Sequence, residues 1–240
     1  TSQVNEAIQV LQGHFVSKEA EYQKYCQIDI LENDPAGMIK RLQSYTERLT
    51  HIPFYTQVED IIKVGIARYK EKYLPGIKSE DPFVLYEKYS RRDVSLLMNC
   101  GKDLSSIMYG MKRIEDDVFI FITYHKEESQ DEKNYVDGKP DYADAFEDDL
   151  IFKWDSQIGK GLDSSYMKDV LEAERKHLLV KKSDAETSFY YMGQFTVVEA
   201  RNARKEDNRG RMQPITKVTM KMHHPVREDL LRYLQSNITA

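Results

Sequence analysis

The feature that most constrains this chain is the irregular order of its extended runs. VFIFITYH from Val118, LIFKWDS from Leu150, HLLVKK from His177, FYYMGQFTVVEA from Phe189 and ITKVTMKMHH from Ile215 are short and rich in β-branched and aromatic residues, as strands are. One helical stretch, SSYMKDVLEAERK, falls among them. Another follows Pro225, with Val226, Leu230, Leu231 and Leu234 as its apolar stripe. A doubly wound nucleotide-binding sheet needs strands and helices in regular alternation, so it is disfavoured. The pattern predicts an α+β protein whose mixed sheet is strongly curved or closes into a small barrel with flanking helices.

The first third has a different texture. Val4, Ala7, Leu11 and Phe15 repeat at helical spacing, and after Asp34-Pro35 so do Met38, Leu42, Tyr45 and Leu49. Val58, Ile61, Ile62, Ile66, Tyr69 and Tyr73 continue the pattern up to Pro75-Gly76. Residues 1–76 therefore read as a helical coupling unit, and PGIKSEDP, Pro75 to Pro82, as the boundary before a second domain over residues 83–240. That domain opens with SRRDVSLLMNCG, a helix with Ser90 as N-cap and Gly101 as its end.

No run is long and apolar enough to span a bilayer, and no signal peptide is visible, so a cytoplasmic protein without a membrane partner is expected. The start at Thr-Ser-Gln reads as part of a longer protein. Cys26 and Cys100 lack metal or disulfide spacing and read as buried thiols. The net charge of −5 hides a polarity. Glu127 to Asp155 holds eleven Asp/Glu against three Lys, whereas Arg201 to Ala240 holds nine Lys/Arg against four Asp/Glu. Segregated charge of this kind suits a polyanion on one face.

The P-loop, the GxSxG elbow and the HExxH helix are all missing. The Gly159-Lys160-Gly161 turn before Ser164 and Ser165 reads as a plain turn, though its amides would suit a phosphate. His223 and His224 are adjacent and on a strand would point apart. The acids of Glu115-Asp116-Asp117 and Glu147-Asp148-Asp149 read as solvated loop carboxylates. No enzyme, and no cofactor or metal site, is expected within these residues.

The stretch YADAFEDDLIFKWDSQ, Tyr142 to Gln157, holds the only tryptophan together with five carboxylates. On a strand Leu150, Phe152 and Trp154 share one face, the expected core. Trp154 also has polar neighbours in Asp155, Ser156 and Gln157. An aromatic platform with a carboxylate and amides at its edge is what a pocket for an extruded base requires. A carboxylate accepts from the exocyclic amine of cytosine, which makes Asp144 a candidate reader of that base.

LYEKYSRRDVSLLMN, FITYHK, YADAFEDDLIFKWDSQ, LLVKKSD and FYYMGQ, in that order, resemble the C-terminal domain of unknown function in SauUSI-like Type IV restriction endonucleases, over roughly residues 83–235. The resemblance implies an SRA-like fold within the wider PUA-like barrels and a domain that flips 5-methylcytosine or 5-hydroxymethylcytosine out of duplex DNA. By this resemblance Tyr142, Asp144 and Trp154 form the pocket, with Tyr124 and His125 as alternative walls. It also implies nuclease and helicase domains in the same polypeptide, which would bring ATP and a divalent metal.

Unstacking a base costs a few kcal/mol, and each aromatic contact returns about 1–3 kcal/mol, so phosphate contacts must supply the rest. Candidates are Arg91, Arg92, Lys112, Arg113, Lys160, and Arg201, Arg204, Arg209 and Arg211 in an arginine-rich loop, RNARKEDNRGR. Two other readings are a protein-interaction module coupling nuclease to helicase, and a single-stranded nucleic-acid binder.

Overall fold

The computed structural model describes residues 2–12, 30–33, 38–73, 82–125, 135–136, 139–140, 144–207 and 209–236. The chain divides into two compact units, Thr1–Val84 with Arg91–Ser106, and Leu85–Ser90 with Ile107–Ala240. The expected boundary at Pro75 to Pro82 falls, except for Pro82, outside the described residues, as do Cys26 and the Asp34-Pro35 cap.

In the first unit helices span Ser2–Leu11, Gln43–Arg48, Ile52–Tyr73 and Arg91–Leu97. A helix beginning near Met38 does not form. Ile39–Arg41 is instead strand β2, antiparallel to β1, Leu31–Asn33, and Leu42 is extended at φ −66 and ψ 150 before the Gln43–Arg48 helix. The helical spacing of Met38 and Leu42 thus loses to strand pairing. Helix Arg91–Leu97, expected with the second domain, belongs to the first unit. Its Ser95 Oγ donates to the Arg91 carbonyl and accepts from Leu104 N, each at 3.2 Å, tying down the loop behind it. Asn99 and Gly101 adopt positive φ and turn the chain there. Cys100 is half-buried, not the core thiol expected.

The second unit is built on an eight-stranded mixed sheet. Its path runs β4 (Met111–Ile114), β5 (Asp117–His125), β10 (Arg175–Ser183), β11 (Phe189–Glu206), β12 (Met212–Met222), β9 (Ile151–Asp155) and β8 (Ala145–Phe146), with β3 (Lys88–Tyr89) pairing with β11. A separate two-stranded ladder joins β6 (Tyr135–Val136) to β7 (Lys139–Pro140). β5 and β10 are parallel, and the other neighbours in the sheet are antiparallel.

β11 serves two sets of partners in succession. Residues 189–194 pair with β3 and β10, and residues 195–206 pair with β12 across a bulge at Val197/Glu199. Both halves contribute to one core, which joins Val118, Ile120, Leu178 and Val180 to Phe152, Trp154, Val218 and Met220. Side chains so far apart along the sheet path share a core only if the sheet curves around it, as the sequence pattern predicts. Helix Ser165–Glu172 closes this core with Met167 and Val170. Its Ser164 cap accepts from Met167 N. Helix Glu228–Gln235 adds Leu230 and Leu234, with Val226 buried just before it.

RNARKEDNRGR is not a loop. Arg201 to Glu206 continues β11 and pairs with Met212 to Lys217 of β12, so the segment is the end of a long antiparallel hairpin whose turn is held by Asp207. The Asp207 carboxylate accepts from Arg209 N and Arg211 N, at 2.9 and 3.0 Å, and from the Arg211 side chain. His223 and His224 lie just past the end of β12, where His223 N donates to the Gln194 carbonyl.

Asp117 corrects the reading of its acidic triplet as solvated. Only 3% exposed, it begins β5 directly beside Arg175 in the parallel register. Arg175 donates to both carboxylate oxygens, at 2.8 and 2.6 Å, and His177 Nε2 lies 2.7 Å from Oδ1. The other His177 nitrogen is 2.9 Å from the Tyr191 hydroxyl, and the imidazole stacks on Phe119 at 4.5 Å. Burial pushes the Asp117 carboxyl up, but the hydrogen bonds and charges of His177 and Arg175 outweigh it and hold the pKa at about 2.

The contribution of Asp117 to stability is therefore complete above the ordinary carboxylate value of 3.8 and is lost as the pH falls toward 2. Asp117→Asn removes the negative charge and turns one of the two acceptor oxygens facing Arg175 and His177 into a donor, and is expected to cost about 3–5 kcal/mol. Urea unfolding at neutral pH checks the loss. The acid limb of the wild-type stability profile, between the two pKa values, should flatten in the variant.

Candidate functional site

β8 and β9 pair as Ala145↔Lys153 and Phe146↔Phe152, and the same register places Asp144 across from Trp154. Alternation along the strands then puts Asp144, Phe146, Phe152 and Trp154 on one side of the ladder. Asp144 is 7% exposed and accepts from Asp155 N at 2.9 Å through Oδ1. Trp154 is 4% exposed and belongs to the core cluster. The two residues singled out from the sequence are thus brought together in a closed site.

Tyr166 completes it. This residue stands in the first turn of helix Ser165–Glu172, with its ring centroid 6.3 Å from that of Trp154 and the planes tilted by 31°. Its hydroxyl is buried and has no hydrogen-bond partner among the described residues. Burial pushes its pKa well above the usual tyrosine range, and the negative charge of Asp144 adds to the rise. The phenol therefore stays protonated, a donor with a carboxylate as its neighbour. Lys160 Nζ lies 5.7 Å from the Tyr166 ring centroid.

Gly110 lines the same place. At φ +72 its backbone lies where a Cβ would meet the Gln157 amide and approach the Tyr166 hydroxyl at 3.4 Å, so both polar groups rest against bare backbone. Gln157 Nε2 donates to the Tyr109 carbonyl at 3.3 Å. Ser156 is occupied structurally: its Oγ donates to the Lys160 carbonyl at 2.6 Å and accepts from Thr216 N at 2.8 Å, clamping the glycine turn to β12.

Tyr124 and His125, the alternative walls, are tied to the C-terminal helix. The buried Tyr124 hydroxyl meets the Phe146 backbone and the Gln235 side chain, and His125 Nε2 lies 2.7 Å from the Leu234 carbonyl. Tyr142 lies outside the described residues. The sequence reading missed Tyr166 and Gly110. The signal for Tyr166 was its place in SSYMKDVLEAERK: Met167 and Val170 form the buried stripe, and a tyrosine beside that stripe needs a second environment.

The other side of β9 and β12 carries charge. Lys153, Asp155, Arg201, Lys217 and Thr219 line a concavity of about 410 Å³. Asp155 meets Lys217 at 3.3 Å and Lys205 at 4.0 Å, and Lys153 meets Glu147 at 3.3 Å. Burial pushes the Asp155 carboxyl up, against the pull of these lysines, and Asp144 adds to the rise.

Of the other cations singled out, Arg92 pairs with Asp103 and Arg113 with Asp169. Arg201 pairs with Glu199 and Arg211 with Asp207. Lys112 lies on β4 and Arg91 begins its helix, where it has partners of its own. Arg204 and Arg209 are exposed along the hairpin and at its turn. Among the described residues no group of three or more His, Cys, Asp or Glu could hold a metal ion, and no helix is long and apolar enough to cross a membrane.

Three solved structures give the likenesses of fold. Arabidopsis thaliana SUVH6 in complex with SAM is 11% identical, with a TM-score of 0.38 over 67% of this chain and 29% of that one. The sulfur-binding and SRA domains of ScoMcrA, complexed with phosphorothioated DNA, are 12% identical, with a TM-score of 0.33 over 64% of this chain and 45% of that one. The MspJI restriction endonuclease with a 27-mer oligonucleotide is 11% identical, with a TM-score of 0.31 over 48% of this chain and 31% of that one. The chain spans less than half the length of each. No curated protein matches it. Residues 83–234 match the family model described as domain of unknown function DUF3427, and the chain belongs to that family.

Proposed function

We propose that the second unit is a DNA reader that flips 5-methylcytosine or 5-hydroxymethylcytosine out of the duplex and holds it at Asp144, Trp154 and Tyr166. The observation that carries this reading is a buried carboxylate beside a buried tyrosine hydroxyl that has no hydrogen-bond partner among the described residues, next to a tryptophan ring. A buried polar group left unpaired costs about 1–3 kcal/mol, a cost that a ligand's hydrogen bond removes. Two stacking contacts need about 3.5 Å each, so a flat base between the Trp154 and Tyr166 rings, whose centroids are 6.3 Å apart at a 31° tilt, requires them to move apart and turn parallel. Asp144 then accepts from the cytosine exocyclic amine. The exposed Arg204 and Arg209 supply phosphate or groove contacts.

In this reading the chain serves as the target-recognition part of a SauUSI-like, modification-dependent Type IV restriction endonuclease in the bacterial cytoplasm. Cleavage and translocation, with ATP and a divalent metal, belong to nuclease and helicase domains of the same polypeptide.

Fluorescence anisotropy with one labelled duplex, carrying cytosine, 5-methylcytosine or 5-hydroxymethylcytosine at one position, tests the reading. Wild type is expected to bind the modified forms more tightly, and equal affinity for all three would defeat it. Asp144→Asn and Tyr166→Phe are expected to abolish the preference while moving the melting temperature little. Trp154→Ala is uninformative because emptying a buried tryptophan site costs about 3–5 kcal/mol. Trp154→Phe is the usable variant and should weaken the preference.

The arm is tested separately. Arg204→Ala and Arg209→Ala should weaken binding to all three duplexes alike, each lowering the slope of log affinity against log salt by about 1. An unchanged slope would remove the hairpin from the interface.

A further inference from the structure

Two large apolar side chains stand in solvent at the rim of the candidate pocket. Tyr109 is 64% exposed and Ile158 43%. Each is the chain neighbour of a residue that lines the pocket. Tyr109 precedes Gly110, where a Cβ would approach the Tyr166 hydroxyl at 3.4 Å, and Ile158 follows Gln157, whose amide such a Cβ would also meet. Gln157 Nε2 donates to the Tyr109 carbonyl at 3.3 Å and so joins the two rim segments.

Single exposed apolar residues need no explanation, but the backbone that carries these two is fixed on both sides. The Tyr109 carbonyl also accepts from Met111 N at 2.8 Å, the Gly110 carbonyl accepts from Phe121 N at 2.7 Å, and Met108 is fully buried. Around Ile158, Gly159 N donates to the Pro214 carbonyl at 2.9 Å and Lys160 N to the Gln157 carbonyl at 3.0 Å. A side chain presented on a fixed backbone enters a partner without the ordering cost that a loose loop incurs.

Extrusion of a base creates a place for such a side chain. The duplex is left with a gap between the flanking base pairs, whose facing surfaces lose their stacking contact. Proteins that unstack duplex DNA insert apolar side chains at such steps, and a flat aromatic ring recovers stacking whatever the neighbouring bases are. Of the two rim residues Tyr109 has the flat ring. We propose that Tyr109 enters the duplex at the position the extruded base vacates, with Ile158 packed against the adjoining nucleotide. This inference rests on the reading of Asp144, Trp154 and Tyr166 as a base pocket.

Anisotropy titrations of the 240-residue chain separate the two ideas. Three duplexes are used: unmodified, with 5-methylcytosine opposite guanine, and with 5-methylcytosine opposite a pyrene nucleotide, whose aromatic disc fills the gap by itself. Tyr109→Ala is expected to bind the methylated duplex about tenfold more weakly than wild type, and Tyr109→Phe to bind it as wild type does. Both should bind the unmodified duplex unchanged, because phosphate contacts hold that complex. Opposite pyrene, Tyr109→Ala should match wild type, whereas Asp144→Asn should stay weak because its defect lies in the pocket. Thermal melts confirm that the exposed Tyr109 can be replaced without loss of fold. Wild-type affinity of Tyr109→Ala for the methylated duplex, or a loss that persists opposite pyrene, would overturn the gap-filling role and leave the pocket standing. A wild type indifferent to methylation would remove the pocket, and the role of Tyr109 with it.

Discussion

The second unit depends on one strand being long enough for two sets of neighbours. β11 runs from Phe189 to Glu206, and its bulge at Val197/Glu199 lies just after the hydrogen-bonding partner changes from β10 to β12. An extra residue in one strand bends it and raises its twist, which lets the two halves of the sheet face a common core. Without that bend, Val118 and Leu178 on one half and Phe152 and Val218 on the other would bury different surfaces. With it they close around Met167 and Leu234, and the Asp144 site forms at the edge of the closed half.

Polar groups divide the work between structure and recognition. Ser156, Asp207 and Asp117 each have their hydrogen-bonding capacity taken up by the fold: a clamp on the glycine turn, a hairpin end and a buried ion network. Tyr166 differs, a buried hydroxyl with an acidic neighbour and no hydrogen-bond partner among the described residues. Fully paired polar groups rigidify a fold, whereas an unpaired one leaves bonding capacity for a ligand. The same contrast separates the paired Arg211 from the exposed Arg204 on the hairpin.

Much of this was legible in the residues, and the exceptions have physical causes. The five β-rich runs and the stripe after Pro225 fold as their spacing predicts, because period is a local property. Asp144 and Trp154 were singled out because five carboxylates and the only tryptophan share sixteen residues. Asp117 was misread because its partners, Arg175 and His177, lie 58 and 60 residues away and meet it only through a parallel pairing. The hairpin was taken for a loop because RNARKEDNRGR is polar. A polar segment extends as a strand when a partner is hydrogen-bonded alongside, and the partner here is the facing stretch from Met212 to Lys217. Tyr166 was passed over because its role arises from Trp154, Asp144 and Gly110 arriving from three other places in the chain.

The parallel ladder between β5 and β10 also bears on the order in which this molecule can assemble. Pairing Asp117 with Arg175 closes a loop that contains β8, β9 and helix Ser165–Glu172, and with them Asp144, Trp154 and Tyr166. Long loop closures are entropically costly and slow, since the chain must give up its freedom before the distant contacts form. Every described residue of the candidate pocket except Gly110 lies inside that loop. On a nascent chain β9, which carries Trp154, also lacks its partner β12 until Met222 has been made, so the pocket's side of the sheet is completed last.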